Sequence, residues 1–263
     1  MGLGEFVDKL IDPYDKQARL YPGLIVFIPI AVLVVFLYGG QNLFASSLLS
    51  ILGFSGAAYL LASTARNAGK RIEERLFTAW GGKPTTQLLR HSDLRIDMHT
   101  KERIHLILSQ GIGKQLPTLD QEIAKPSDAD ELYKACVVWL INNTRDIKKF
   151  PLVFKENIAY GFRRNMLGLK TIGIFVAVIS IFWVLLYAQV FTFTTPYFNF
   201  GNLLQADIKT LVPLIVSTII LIIWILLVNE SSLKQVSYAY AERLLHSCDT
   251  LAQKTSKSSK KSL

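Results

Sequence analysis

Two basic residues beside aromatic ones, Arg163 and Arg164 following Tyr160 and Phe162, are the part of this sequence best suited to binding chemistry. Guanidinium groups hold phosphate oxygens through paired hydrogen bonds, and an aromatic ring can stack on a nucleobase. At a membrane boundary the same residues anchor a helix and pair with anionic lipid headgroups. Lys148 and Lys149, with Arg145, form a second basic group upstream. On one continuous helix they would lie roughly four turns before Arg163, too far to share a pocket within one copy of the chain without a fold-back. The expected anion-binding set is Lys148, Lys149, Arg163, Arg164 and Tyr160, brought together by a fold-back or by a neighbouring subunit.

Other spacings offer less. His91, Asp93, Asp97 and His99 supply four metal-ligating side chains within nine residues, and imidazole with carboxylate can hold zinc or manganese. No further His or Cys cluster completes a site, and solvated loop residues are the expectation. A membrane enzyme acting on lipid would have to draw on these four. Gly111-Ile112-Gly113-Lys114 lacks the spacing, the following Ser or Thr and the preceding strand of a phosphate loop, so a helix cap is expected. No nucleophile, base and orienting group come together. The sequence therefore predicts no enzyme, no metal and no cofactor. Cys136 and Cys248 are expected to be reduced structural thiols.

The elements that must position these residues follow from where the apolar residues fall. A chain of 263 residues that is 51% hydrophobic, with mean hydropathy +0.32, is too apolar for one water-soluble domain. Charge-free runs at 20–38 and 43–63, joined by Gly39-Gly40-Gln41-Asn42, predict a transmembrane hairpin. The charge-free stretch 171–206 predicts a third span ending near 191–195, before Pro196, and 211–228 predicts a fourth. Glu5, Asp8, Asp12 and Asp15 ahead of the first run, together with its length, favour an uncleaved span over a signal peptide.

Between 66 and 170 there are 19 Lys and Arg against 12 Asp and Glu, and after 228 there are 6 against 3; the short connections offer only Lys209. Cytoplasmic flanks retain basic residues, so both termini and the middle of the chain are expected in the cytoplasm of a bacterial inner membrane. Phe191, Phe193, Tyr197, Phe198 and Phe200 would then form an interfacial aromatic belt outside.

The expected fold class is all-α: a cytoplasmic segment at 1–19, the hairpin at 20–63, a basic helical cytoplasmic domain at 64–167, a second transmembrane pair with an external loop at 168–228, and a cytoplasmic amphipathic helix with a basic tail at 229–263, disordered from 256. The second span should continue as helix to Gly81-Gly82-Lys83-Pro84. Further helices are expected to start at Thr85 or Thr86, at Thr100, and at capping boxes on Thr118 and Ser127. Leu132, Cys136, Trp139 and Leu140 form an apolar stripe, and Phe150, Phe154, Ile158 and Phe162 recur at a helical period into the third span. In the tail, Leu233, Val236, Tyr240, Leu244, Cys248 and Leu251 have the spacing of a seam between helices.

Within the second span, Ser46, Ser50, Gly53 and Ala57 make a small-residue stripe suited to close helix packing or to lining a narrow pore. The spans hold no Asp, Glu, Lys or Arg, which argues against a proton-coupled transporter but not against a pore.

The residues from Trp139-Leu140 through Thr144-Arg145-Asp146, then Phe150, Glu156-Asn157, Tyr160-Gly161-Phe162-Arg163-Arg164-Asn165 and Gly168-Leu169-Lys170 resemble an uncharacterised family of small bacterial membrane proteins. The order of two spans, a basic helical part and two more spans is similar to four-span membrane effectors of antiphage defence, such as the Hailong-type channel effector. That resemblance implies a homo-oligomeric pore controlled by a nucleotide or oligonucleotide from a partner enzyme, with no duplex DNA recognition. The other function the sequence allows is a non-conducting membrane scaffold that docks a cytoplasmic partner protein, with the tail seam as its contact.

Overall fold

The computed structural model describes residues 12–38 and 47–259, the side chains of 47–56, 58 and 253–259 excepted. Regular structure among the described residues is helical, with one isolated antiparallel bridge from Phe191 to Phe198. In chain order the helices are α1 (Asp15–Tyr38), α2 (Ser47–Ala79), α3 (Pro84–Leu89), α4 (Met98–Ile112) and α5 (Leu119–Ala124). They continue as α6 (Pro126–Asn143), α7 (Pro151–Tyr187), α8 (Gly201–Leu204), α9 (Ile208–Leu227) and α10 (Glu230–Ser259).

Among the described residues, α1, α7 and α9 are each long and apolar enough to cross a bilayer, which makes this a membrane protein. Of the expected second span, 43–46 lie outside the described residues and the rest is the first half of α2.

The chain divides into two compact units. The apolar unit holds the chain as far as Ile72 together with Gly161–Leu233, and the polar unit holds Glu73–Tyr160 with the chain from Lys234. In the apolar unit Val26, Ala65, Leu169, Ala177, Ile220 and Trp224 form the core. At Gly168 a side chain would meet backbone: a Cβ there would lie 2.4 Å from the carbonyl carbon of Ala68 and 2.5 Å from the amide nitrogen of Gly69. The backbones of α2 and α7 therefore touch at this crossing, as small residues permit between membrane helices. Asn165 Nδ2 donates to the Ala18 carbonyl at 2.6 Å, tying α7 to α1. Lys170 Nζ donates to the Val228 carbonyl at 2.7 Å, satisfying an acceptor that the end of α9 leaves open.

The predicted third span stops earlier than expected, at Tyr187. Gln189 adopts a left-handed conformation (φ 55°), with Val190 N donating to Leu185 O at 2.9 Å and Gln189 N to Leu186 O at 3.0 Å. This is a Schellman cap, here without glycine. The loop beyond it exposes Phe193, Tyr197, Phe198 and Phe200, while Phe191 packs edge-on against Phe198 at 5.1 Å.

In the polar unit, Leu88, Ile104, Leu108, Tyr133, Leu140, Leu244 and Cys248 are among the core residues. Cys136 and Leu140 from the predicted α6 stripe are buried there, with Leu132 and Trp139 packed against them. Part of the tail seam is used inside this core: Leu244 and Cys248 are fully buried, with Tyr240 and Leu251 packed against it. That tail is helical to Ser259, beyond the predicted start of disorder at 256.

Several helix starts differ from the sequence reading. Helix α3 begins at Pro84 with Lys83 as its N-cap, so Thr85 and Thr86 lie inside it. Proline at the first helical position sacrifices no hydrogen bond and presets φ. The same device starts α6 at Pro126 rather than at Ser127. Helix α4 is capped by Asp97, whose Oδ1 accepts from Thr100 N at 2.9 Å, so Thr100 is the capped residue and not the cap. Thr118 forms the expected capping box with Gln121. Helix α2 ends before Gly81 and Gly82, at φ 82° and 130°, and α4 ends on Gly113 at φ 66°. Gly111, inside α4, leaves room for Trp139, whose ring would lie 2.5 Å from a Cβ there. Helix α7 begins at Pro151, so Phe150, Lys148 and Lys149 precede it.

Candidate ligand cavity in the polar unit

The polar unit has an open cavity of about 280 Å³, just below the ~300–1,000 Å³ range of small-molecule sites. Five stretches of chain build it. Helix α2 contributes Glu73 and Phe77, one turn apart; the start of α3 contributes Lys83 through Thr86; α7 contributes Tyr160; α10 contributes Ser237 and Tyr240. The fifth stretch is α6, where Lys134, Val137, Val138 and Ile141 line the cavity at positions i, i+3, i+4 and i+7. Val137 is shared with the core, whereas Val138 and Ile141 are exposed on the cavity side.

The polar groups of the cavity are few and distinct. Tyr160 Oη donates to Glu73 Oε1 at 2.6 Å, and its ring lies parallel to that of Tyr240, 9° apart with centroids at 6.0 Å. Thr86 is 2% exposed, and its hydroxyl has no hydrogen-bond partner among the described residues. A buried hydroxyl left unsatisfied costs about 1–3 kcal/mol, a cost that a bound ligand would remove. Lys83 and Lys134 are exposed at the rim and make no ion pair among the described residues. The lining thus holds two lysines against one carboxylate, which Tyr160 already engages, so it carries an excess of positive charge. An apolar floor, paired aromatic rings, an open hydroxyl and two cations suit a small molecule with a flat apolar part and an anionic group.

Of the residues expected to bind an anion, Tyr160 alone lines this cavity. Lys149 Nζ is paired with Asp146 Oδ2 at 2.8 Å in the exposed turn before α7, which holds the Asp146 carboxyl below its usual range; Lys148 is in the same turn. Arg164 is 7% exposed and donates to Asn165 Oδ1 at 3.3 Å within the apolar unit. Arg163 is exposed and lines a different cavity, in the apolar unit. Of the small-residue stripe, Ser46 lies outside the described residues, Ser50 and Gly53 are on α2 with side chains not described, and Ala57 is exposed.

The His/Asp cluster is structural. His91 N donates to Glu122 Oε2 at 2.9 Å, Tyr133 Oη donates to the same oxygen at 2.6 Å, and His91 Nε2 pairs with the Pro117 carbonyl at 2.9 Å. His105 Nε2 bonds the Leu89 carbonyl at 2.8 Å, and burial pushes its pKa down to about 4. Lys101, 5% exposed, donates to the carbonyls of Arg90 (2.7 Å) and Asp93, and burial lowers its pKa. Arg90 forms a two-point pair with Asp130 at 2.9 and 2.6 Å, which raises its pKa. These bonds hold the loop between α3 and α4 against α5 and α6. His99 is exposed, Asp97 is spent on its cap, and no group of three or more His, Cys, Asp or Glu able to hold a metal occurs among the described residues. Burial raises the Cys136 thiol to about 11 and Cys248 to about 12, so both stay protonated and unreactive.

No family model, no curated protein and no solved structure matches the chain.

Proposed function

We propose that the chain is a ligand-controlled membrane effector: copies of it assemble in a bacterial inner membrane into a channel whose state is set by a nucleotide-class anion in the polar-unit cavity. One observation carries this reading. The chain passes between the two units three times, at 72/73, 160/161 and 233/234, and each passage lies inside an unbroken helix, α2, α7 or α10. Those three helices also supply Glu73, Phe77, Tyr160, Ser237 and Tyr240 to the cavity wall, all within two turns of the passages. A ligand that shifts any of these side chains acts on a helix that continues into the apolar unit, and packed helices respond by discrete shifts rather than gradual bending.

In this reading the first half of α2 is the fourth span, the basic excess of 66–170 favours a cytoplasmic side for the polar unit and both termini, and the absence of charge from the spans suits a pore of small polar and apolar side chains. The similarity to antiphage effectors suggests the setting, membrane damage released by a signal nucleotide. The scaffold reading has less support, because Leu244 and Cys248 of the tail seam are in the core of the polar unit, with Tyr240 and Leu251 packed against it. Ion flux from liposomes holding the purified protein tests the proposal. Flux that changes on adding nucleotides or short oligonucleotides supports it; no flux with or without them overturns it.

A further inference from the structure

A second cavity, of about 260 Å³, lies in the apolar unit at the end of the spans nearest Asn229. Its walls are apolar: Ile25 and Ile28 from α1, Phe162 and Met166 from α7, Ile223 from α9. Two polar residues join them, and they differ in what they have left to offer. Asn229 is committed, with Oδ1 accepting from Ser232 N at 2.8 Å as the cap of α10 and Nδ2 donating to Leu226 O at 3.2 Å. Arg163 is exposed and has no ion-pair or hydrogen-bond partner among the described residues.

The level of Arg163 along the spans can be read from a neighbouring bond. Lys170 on α7 reaches the Val228 carbonyl at the end of α9. Arg163 lies seven residues, roughly 10 Å, further toward the polar end of α7, outside the charge-free stretch that starts at 171. A guanidinium at that level faces headgroups, while the groove below it opens among helices that face hydrocarbon.

The geometry points to a bound phospholipid, one acyl chain in the groove and its phosphate on the Arg163 guanidinium. Neither half of the site explains the other: an apolar groove alone takes any tail, and an exposed arginine alone takes any anion. Together they select a molecule with a phosphate fixed at one end of a hydrocarbon chain. The inference is independent of the proposed channel function, because it concerns the apolar unit alone.

Native mass spectrometry of the full chain in detergent tests it, with phosphatidylglycerol, diacylglycerol of the same tails, and glycerol phosphate as probes. Phosphatidylglycerol should be retained about tenfold or more over diacylglycerol, the value of one charge-assisted hydrogen bond to phosphate. Arg163→Gln should bring phosphatidylglycerol down to the diacylglycerol level, and Met166→Trp, which fills the groove, should remove both. Glycerol phosphate should neither bind nor compete. Equal retention of the two lipids by the unaltered protein overturns the inference without any variant having to fold. So does undiminished phosphatidylglycerol on either variant, and so does competition by glycerol phosphate, which would make the site one for free phosphate.

Discussion

Replacing Gly168 with alanine should destabilise the protein, although helix propensity alone says the opposite. Alanine in a helix interior is favoured over glycine by about 1 kcal/mol. Against this stands the crossing of α2 and α7, where the added Cβ would lie 2.4 Å from one backbone atom and 2.5 Å from another. Ordinary contact between carbon atoms is about 3.5–4.0 Å, and backbone cannot rotate away as a side chain can. The two helices would have to separate by about 1 Å, and overpacking of this kind costs about 3 kcal/mol at the upper end of its usual range. The net loss is about 2 kcal/mol, a fall of roughly 4–8 °C in melting temperature for a unit of this size. Thermal unfolding in detergent, followed by tryptophan fluorescence, measures it, and Gly168→Ala, Gly168→Val and Gly168→Leu should form a descending series. A rise in melting temperature for Gly168→Ala would refute the close crossing, because only helix propensity would then be acting.

The buried His105 predicts acid sensitivity of the polar unit. Its folded-state pKa of about 4 lies below the ordinary 6.5, so its contribution is complete above pH 6.5 and is lost as pH falls from there toward 4, by about 3 kcal/mol in all. The groups facing it are His91, Lys101, Glu122 and Tyr133; His105→Gln, which keeps a donor for the Leu89 carbonyl, should flatten the stability profile between pH 6.5 and 4, and parallel profiles would refute this. Tyr133→Phe removes a 2.6 Å donor from the buried Glu122 and should cost about 2 kcal/mol at neutral pH, read by the same melts. Lys83→Gln with Lys134→Gln should weaken binding of anionic nucleotides to the detergent-solubilised protein about tenfold or more while leaving its melting temperature without ligand within about 2 °C, because both side chains are exposed.

Three of the expected spans were legible because bilayer solubility demands long charge-free runs, a constraint that every residue of 20–38 obeys on its own. Local caps were legible where the chemistry is reciprocal, as in Thr118 with Gln121, since a capping box needs only residues three apart. Thr100 misled because a cap and the residue it caps both favour hydroxyls and carboxylates, and Asp97 three residues earlier holds the stronger acceptor. The end of α7 was hidden because Gln189 takes the left-handed position usually given to glycine.

The cavity was harder to foresee. Its walls come from residues as far apart as Glu73 and Tyr240, and nothing local links Lys83 to Lys134. Lys83 read as part of a helix stop, which it also is. One signal was present: beside the core residue Val137, Val138 and Ile141 are apolar yet exposed, next to Lys134 on the same helix. Exposed apolar residues grouped beside a cation on one helix of a small domain suit a partner or a ligand.

Whether an anion in this cavity controls the apolar helices is decided by potassium flux from liposomes with and without a panel of ribonucleotides and short oligonucleotides, comparing the unaltered chain with Val138→Trp, which fills the cavity. Flux should depend on nucleotide in the unaltered chain and should no longer respond to nucleotide in Val138→Trp. Flux that is absent throughout, or that responds equally in both proteins, would contradict such control.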